Sequence, residues 1–480
     1  MRNALLVLAS LVAFGAAGVS YASDSGMMHI IESEDYLTGG WGGMREKLEE
    51  AGVDFKSSYT ADVLGNPSGG KSHGVRYNHS LGAELNFDLE KLANLDGLMF
   101  RVSGLYRAGR NLSEDYIGNR FVVSSIYGCQ QLRLYALNLE QSMFDGRVAL
   151  KIGRTSAGDD FASSPLYWIY VNNAIDGNPI SLPIDLPFST YPNAVWGARL
   201  KAKPFERVVS MTGVYDANVA QVGSRQYHGT YFDLRFKKGV FVIQEFQYLN
   251  NGAKGDTGMP GNYKIGGYYD TGKFTSLEDS SQRRGNYGGY VAADQMVYRE
   301  GGPGTDQGLT ALGAITFAPS QYNEFPFFID GGVFYKGLIH GRDKDIAALG
   351  FAYGGHLSVT GSSGPGLSLK MEALGWATMA EIPLIVINVQ RGGPSTGLPT
   401  NIEQSDLLQA IYGSHGDTPR VVLAPKNVED CFYIALEAAR IAREYSTPVL
   451  ILTDQAIATR IEAFDEPDLA KLMVQVKPDL

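Results

Sequence analysis

Only two cysteines, Cys129 and Cys431, occur in 480 residues. They stand far apart in sequence, and a zinc or iron–sulfur centre takes about four ligands, so a disulfide scaffold and a cysteine-built metal site are both excluded. The seven histidines form no metal-ligand spacing. An excess of basic residues is also missing. The formal net charge is −10 and the pI about 5.3, which argues against a nucleic-acid partner. No run of 18 apolar residues follows the extreme N-terminus, so helical membrane spans are excluded and a membrane role requires a β-barrel.

At roughly 150 residues per domain the length suggests about three domains or one large one. Composition divides the chain unevenly. Of the 49 Tyr and Phe residues only Tyr412, Phe432, Tyr433, Tyr445 and Phe464 lie beyond position 354, and ten of the 58 glycines do. The chain reads as two proteins. It opens with Arg2, an apolar run Ala4 to Ala17 and the small-residue pattern Ser20-Tyr21-Ala22, which is a secretory signal peptide with a cut after Ala22.

From Val53 the hydrophobic pattern has period two, the mark of strands with one apolar and one polar face. It is clear in Leu85-Phe87-Leu89 against Glu84-Asn86-Asp88-Glu90 and in Phe100-Val102-Gly104 against Arg101-Ser103-Arg107. It recurs in Trp196-Ala198-Leu200-Ala202 against Arg199-Lys201-Lys203 and in Phe232-Leu234-Phe236 against Tyr231-Asp233-Arg235-Lys237. About fourteen such segments lie between Val53 and Tyr353. Many alternating strands fit a soluble sandwich or an outer-membrane barrel; the export signal, the scarcity of Cys and strand-end aromatics such as Tyr106, Tyr215, Tyr248 and Tyr298 favour the barrel. The short stretch Gly42 to Glu50 is a candidate amphipathic helix ahead of it.

The residues themselves carry a resemblance. Leu37-Thr38-Gly39-Gly40-Trp41-Gly42-Gly43, Tyr59-Thr60-Ala61-Asp62-Val63-Leu64-Gly65-Asn66, Gly109 to Asn119, Ala157-Gly158-Asp159-Asp160-Phe161-Ala162, Asn172-Asn173-Ala174 and Tyr191 to Gly197 resemble the OprB-type carbohydrate-selective porins. The resemblance implies an all-β antiparallel transmembrane barrel of about sixteen strands, about fourteen of them present. It also implies a place in a Gram-negative outer membrane and passive diffusion of sugars without a cofactor. Sugars and outer-membrane lipid are then the partners, and a homo-oligomer is compatible with the family. A sugar exchanges hydrogen bonds along such a path, and conduction needs binding weak enough to release. Strand parity puts Arg101, Arg107 and Arg199 on the lumen side; Arg110, Asp159 and Asp160 are the candidate constriction residues on loops, with solvated rim charges as the plainer alternative.

Gly65-Asn66-Pro67-Ser68-Gly69-Gly70-Lys71-Ser72 matches a phosphate-binding loop letter for letter. That chemistry needs a helix N-terminus behind the loop. Here the alternating run Ser80 to Glu90 follows, so the segment is expected to be a hairpin loop.

Beyond Gly354 the pattern changes. Ile382 to Val389 and Pro448 to Leu452 are continuous apolar runs, as in strands buried on both faces of a parallel sheet. Val428 to Arg443 carries one apolar helical stripe, with Glu429 and Asp430 in the first turn and Arg440 and Arg443 in the last. This βαβ pattern places ligands at the strand carboxyl ends, where the Gly-rich Asn388 to Gly397 loop lies. That loop, together with Ser362 to Leu369 and Glu403 to Leu407, is similar to the alpha subunit of 2-oxoacid:ferredoxin oxidoreductases. The similarity implies that Arg391 meets the 2-oxoacid carboxylate and that Ser363, Gly364, Pro365 and Gly366 form a loop beside thiamine diphosphate. The family is cytoplasmic and pairs with a beta subunit and ferredoxin. Its thiamine-activating carboxylate precedes this loop, and porin-like strands stand in that place here, so no catalytic or metal-binding residue is assigned and enzymatic activity is not expected.

The expected order is therefore a signal peptide, 1–22; an N-terminal segment with a short helix, 23–52; a porin barrel short of its last strands, 53–354; and an incomplete α/β parallel-sheet fragment, 355–480. The abrupt change at Phe351 to Gly355, without a Pro/Ser-rich linker, reads as a chimeric reading frame.

Overall fold

The computed structural model describes residues 40–467, apart from 68–69, 129, 221–224, 252–256, 278, 303–304, 355–356, 395–397 and 399. The expected signal peptide, Cys129 and part of the phosphate-loop look-alike lie outside the described residues. The chain divides after Gly354 into two compact units.

The first unit is one antiparallel sheet of thirteen described strands in sequence order. They are β1 Val53–Asn66, β2 Gly74–Asp88, β3 Leu98–Gly109, β4 Leu132–Met143, β5 Val148–Thr155 and β6 Val195–Phe205. Then come β7 Val208–Asp216, β8 Val240–Asn250, β9 Gly261–Thr275, β10 Gln282–Arg299, β11 Gly308–Phe317, β12 Phe327–Lys336 and β13 Ile346–Tyr353. The helix expected before β1 spans Met44–Glu50. Asn66 of β1 pairs with Gly74 of β2 in an antiparallel hairpin, and the strand Gly74–Asp88, not a helix, follows Lys71-Ser72.

Alternation fails as a guide at one segment. Residues 231–237 join no ladder and belong to the connection between β7 and β8. Their polar face reflects local ion pairs, with Arg235 and Lys237 both on Asp233, while Phe232 packs on Trp196. The thirteen strands also leave β1 and β13 with one neighbour each, and both run in the same direction because every step between them is antiparallel. Direct closure of β1 on β13 would be a parallel pair.

The outward face of this sheet is apolar, whereas the inward face carries charges on β1 to β6 and buried apolar residues on β7 to β12. Outward residues include Tyr59, Val63, Tyr77, Leu81, Tyr106, Leu139, Ile152, Leu200, Phe246, Tyr248, Ile265, Val291, Leu349 and Phe351, all exposed. Such an apolar face meets lipid in a barrel. His79 lies among Tyr59, Tyr77 and Tyr106, within 5.4–5.9 Å of each ring, inside strand β2. Tyr106, Tyr248 and Tyr298 are exposed as interfacial residues should be, but Tyr215 is fully buried. Its position on β7 has inward parity, and it packs edge-on against Phe161.

The inward face is covered by residues 156–194, the connection from β5 to β6. Phe161, Leu166, Leu182, Phe188 and Ile175 of this segment are buried against inward residues of the far strands. Tyr170 lies across β12 and β13 because Gly332 and Gly350 leave room for it; a side chain at Gly332 would stand 2.2 Å from its hydroxyl oxygen.

The second unit is a four-stranded parallel sheet in the order β14-β15-β17-β16, with β14 Ser358–Ser363, β15 Leu384–Gln390, β16 Val421–Leu423 and β17 Pro448–Asp454. Leu450 and Val386 are fully buried, on the side of the sheet faced by Leu374 and Ala410. Helix Val428–Glu444 covers the other side through Ala438 and Ala442. Asn427 caps it through Asp430 N at 2.8 Å, and Glu429 and Asp430 occupy its positive end.

Candidate functional site

The inward face of β1 to β6 carries a row of charges set by strand register. Lys56 stands opposite Glu84, Asn86 opposite Arg101, Glu140 opposite Lys151, and Lys151 opposite Arg199. Signs alternate from β1 to β4 through Lys56, Glu84, Arg101 and Glu140, whereas Lys151 and Arg199, both cations, stand side by side on β5 and β6 and share Asp160. Arg101 pairs with Glu84 at 2.5 Å and approaches Asp159 at 3.9 Å. Arg199 reaches Glu140 at 3.1 Å and Asp160 at 3.2 Å, and Lys151 donates to both Asp160 oxygens at 3.0 Å. Asp159 and Asp160 come from the inward segment and close the network from above; the Tyr135 hydroxyl donates to Asp159.

Exposure separates groups that can meet a solute from groups that hold the wall. The Arg199 side chain is 4% exposed and that of Asp160 10%, whereas Glu140 is 34% exposed. The accessible members are Glu140, Glu84, Arg101, Asn86, Lys56 and Asp54. Asn86 donates to Glu84 at 2.9 Å and to Asp54 at 3.4 Å. Lys151, Asp160 and Arg199 form a buried ion cluster behind them.

The two loop carboxylates are pushed in opposite directions. Burial raises Asp159 above the usual carboxylate range, against the attraction of Arg101 and Lys151. Burial also acts on Asp160, but Lys151 and Arg199 outweigh it and hold that carboxyl below the usual range.

A second cluster lies farther along the same strands. Arg107 sits 4.8 Å from the centre of the Tyr191 ring, Arg133 donates to Asn193, and Arg154 donates to the Ala194 carbonyl at 2.9 Å. The three guanidinium groups thus cradle residues 191–194, and all three are buried. Arg107 faces inward, in agreement with its parity, but beneath the inward segment. Arg110 is exposed just past β3, its backbone N–H on the Tyr77 carbonyl, and makes no ion pair among the described residues.

Asp176, also on the inward segment, is pushed up to about 7, first by burial and partly offset by Ser125 and Arg107. Its proton is therefore held in the folded chain and lost from the unfolded one between pH about 4 and about 7. Stability of the first unit is expected to fall as pH rises through that window. Denaturation midpoints of the full chain at pH about 4.5, 6 and 8 should show the fall, and Asp176→Asn should flatten it.

Parity points to Arg101, Arg107 and Arg199 but equally to Glu84, Glu140 and Lys151, which the same alternation would have found. Tyr135 and Arg133 are less legible. Between Val102 and Gly104 the β3–β4 register shifts, so β4 carries an extra residue and its inward parity changes from Arg133 and Tyr135 to Ala136, Asn138 and Glu140.

In the second unit the start of the helix after β14 and Asn388 near the end of β15 meet at Asp406. The space a side chain at Gly364 would need is 2.8 Å from an Asp406 oxygen, and Asn388 donates to Asp406 at 2.8 Å. Gly393 N donates to Glu403 at 3.1 Å, and Arg391 follows β15 directly. Ser363 ends β14, and Gly364, Pro365 and Gly366 open the helix after it. Asn388 Oδ1 and Gln390 Oε1 are buried without a hydrogen-bond partner among the described residues.

Residues 72–362 match the carbohydrate-selective porin, OprB family. The chain belongs to that family. Porin B of Pseudomonas aeruginosa is 27% identical over 372 residues, covering 73% of this chain and 80% of that protein. The high-pH structure of Pseudomonas putida OprB superposes with a TM-score of 0.61 at 27% identity, over 67% of this chain and 80% of that one. The OprB match runs through the whole inward charge row from Glu84 to Arg199 and through the inward segment.

Residues 346–479 match a second family, pyruvate flavodoxin/ferredoxin oxidoreductase, thiamine diphosphate-binding. The 2-oxoglutarate oxidoreductase subunit KorA of Mycobacterium tuberculosis is 62% identical over 126 residues, and this chain spans 19% of its length. The 2-oxoglutarate synthase subunit KorA of Archaeoglobus fulgidus is 45% identical over 146 residues, 41% of its length. The chain is thus an OprB-family porin joined to a KorA-like fragment. The two matches overlap at 346–362, which spans both β13, the last antiparallel strand, and most of β14, the first parallel one.

Proposed function

We propose that the first unit is an outer-membrane passage for sugars by passive diffusion, selective through the accessible polar row on β1 to β4. The supporting observation is the alternation of Lys56, Asp54, Asn86, Glu84, Arg101 and Glu140 on one wall, facing a segment folded inward over the sheet. Each group can exchange a hydrogen bond with a sugar hydroxyl, and neighbours of opposite sign keep the net attraction for any one ion small, which suits a neutral polyhydroxylated solute. An unpaired sheet edge in lipid costs several kcal/mol per unsatisfied backbone group, so closing strands are part of the working barrel. Continuing residues 1–354 into the closing strands of the Pseudomonas aeruginosa Porin B should give vesicles that swell in isotonic monosaccharide; no permeability would remove this reading.

The KorA likeness supports a second reading, in which the fragment serves a 2-oxoacid oxidoreductase with a beta subunit. Its strand-end loops correspond to the thiamine side of that family, with Arg391 as the 2-oxoacid contact. The residues present do not fit a complete thiamine diphosphate site. In that family the carboxylate that activates the cofactor ring precedes the Ser363 to Gly366 loop, and strands of the antiparallel sheet occupy that place here. No 2-oxoacid-dependent electron transfer is therefore expected from the chain, even with a partner subunit added.

A further inference from the structure

Glu245 is fully buried on the inward face of β8. A buried carboxylate is costly unless several donors meet it, and three do. Ala162 N donates to Oε2 at 2.8 Å, the Tyr290 hydroxyl donates to the same oxygen, and Gln247 Nε2 donates to Oε1 at 2.7 Å. Two of these donors lie on the sheet; Ala162 belongs to the inward segment.

The geometry is set by register. Glu245 faces Gly266 on β9, and Gly266 faces Tyr290 on β10. The Tyr290 ring lies over Gly266, where any side chain would stand 2.2 Å from it. Only a glycine in that row lets Tyr290 reach Glu245.

The segment end of the contact is strained. Ala162 has φ 48, a left-handed backbone that strains a non-glycine residue. Asn178 donates to the carbonyls of Gly158, Phe161 and Ala162, so the bend is held on one side by the segment itself and on the other by Glu245. Next in sequence, Ser163 O accepts from Lys264, and the Tyr167 hydroxyl donates to Asp330 at 2.7 Å. These contacts span β8 to β12, the wall opposite the charge row.

We propose that Glu245, with Tyr290, is a positioning residue: it latches the inward segment to the far wall at Ala162 and so keeps Asp159 and Asp160, three and two residues earlier, over Arg101, Lys151 and Arg199. This deepens the sugar-passage reading, because the latch fixes how far the segment stands from the accessible row. It does not depend on that reading for its test.

The test is cysteine accessibility in the full chain, with Cys129→Ser and Cys431→Ser as background. Ser164→Cys reports the latch, since Ser164 is buried two residues beyond Ala162. Thr310→Cys, buried on the inward face of β11, reports the sheet at large. With Glu245 present both positions should react slowly with a water-soluble maleimide. Glu245→Leu, which removes the acceptor, should speed labelling at position 164 by about tenfold or more, because local opening exposes a site in proportion to its population. It should leave position 310 unchanged. Glu245→Gln keeps an acceptor oxygen and should restore slow labelling, and Tyr290→Phe should fall between. Equal labelling at position 164 with and without Glu245, or equal acceleration at 164 and 310, would overturn the proposal. If the completed barrel fails to pass sugars, the passage reading falls while the labelling result still decides the latch.

Discussion

Asp160→Ala is expected to destabilise the first unit by about 3–5 kcal/mol, the scale seen when one partner of a buried ion pair is removed and the other is left uncompensated. Asp160 accepts from Lys151 and Arg199 together, and both cations are almost fully covered. Glu140 stays paired with both, at 3.8 Å from Lys151 and 3.1 Å from Arg199, but it is the most exposed member of the cluster, and Asp159, which Lys151 also attracts, makes no ion pair with either cation. The change should appear as a lowered urea midpoint of the refolded full chain. Removing Lys151 as well, in Lys151→Met/Asp160→Ala, should recover part of the loss, because one of the two stranded charges disappears; such coupling is expected of groups in contact. The sign with pH follows from the direction of its shift. The Asp160 carboxyl is held below its ordinary range, so its contribution is present above about pH 4 and fades as acid protonates it. Asp160→Asn should remove that acid-sensitive part while keeping the shape of the side chain.

The second large effect concerns the accessible row. Arg101→Glu turns the sequence Glu84, Arg101, Glu140 into three carboxylates on adjacent inward strands. A wall of one sign concentrates counter-ions in a low-dielectric passage. In the completed barrel, the cation-to-anion permeability ratio is expected to rise by about tenfold, read from reversal potentials under a salt gradient. Arg101→Gln should move the ratio less and lower sugar flux less, since an amide still offers donors to a hydroxyl. Arg110→Glu, at the exposed position past β3, should leave the ratio close to that of the parent chain. An Arg110 effect as large as that of Arg101 would place the constriction elsewhere.

Much of this was legible in the sequence because a strand repeats every two residues. The parity of Arg101, Arg107 and Arg199 follows from their apolar neighbours, and the change from alternating to continuous apolar runs marks the second unit and its helix Val428–Glu444. What parity cannot supply is depth. Arg107 and Arg199 face inward, yet residues 156–194 fold over them, and a connection carries no periodic signal of where it folds. The same limit hid Glu245, whose neighbours in β8 alternate normally and whose role comes from a partner far away at Ala162. Parity also misleads where backbone irregularity intervenes, as at the extra residue in β4, and where local ion pairs imitate a polar face, as around Asp233.

The junction has a physical reading of its own. Antiparallel pairing to β12 continues through Tyr353, and parallel pairing begins at Ser358. The change of architecture is complete within a few residues, which is the pattern of two joined halves and not of one domain growing into another. Amplifying source DNA across codons 345 to 365 should give a continuous product if the join is genomic.

The measurement that bears most directly on the whole account is osmotic swelling of vesicles carrying residues 1–354 continued into the closing strands of Porin B, in isotonic solutions of a neutral monosaccharide. Swelling well above that of protein-free vesicles is expected, slowed when Arg101, Glu84 and Glu140 are replaced together by leucine. Vesicles that swell no faster than protein-free ones, with the barrel folded and inserted, would contradict it.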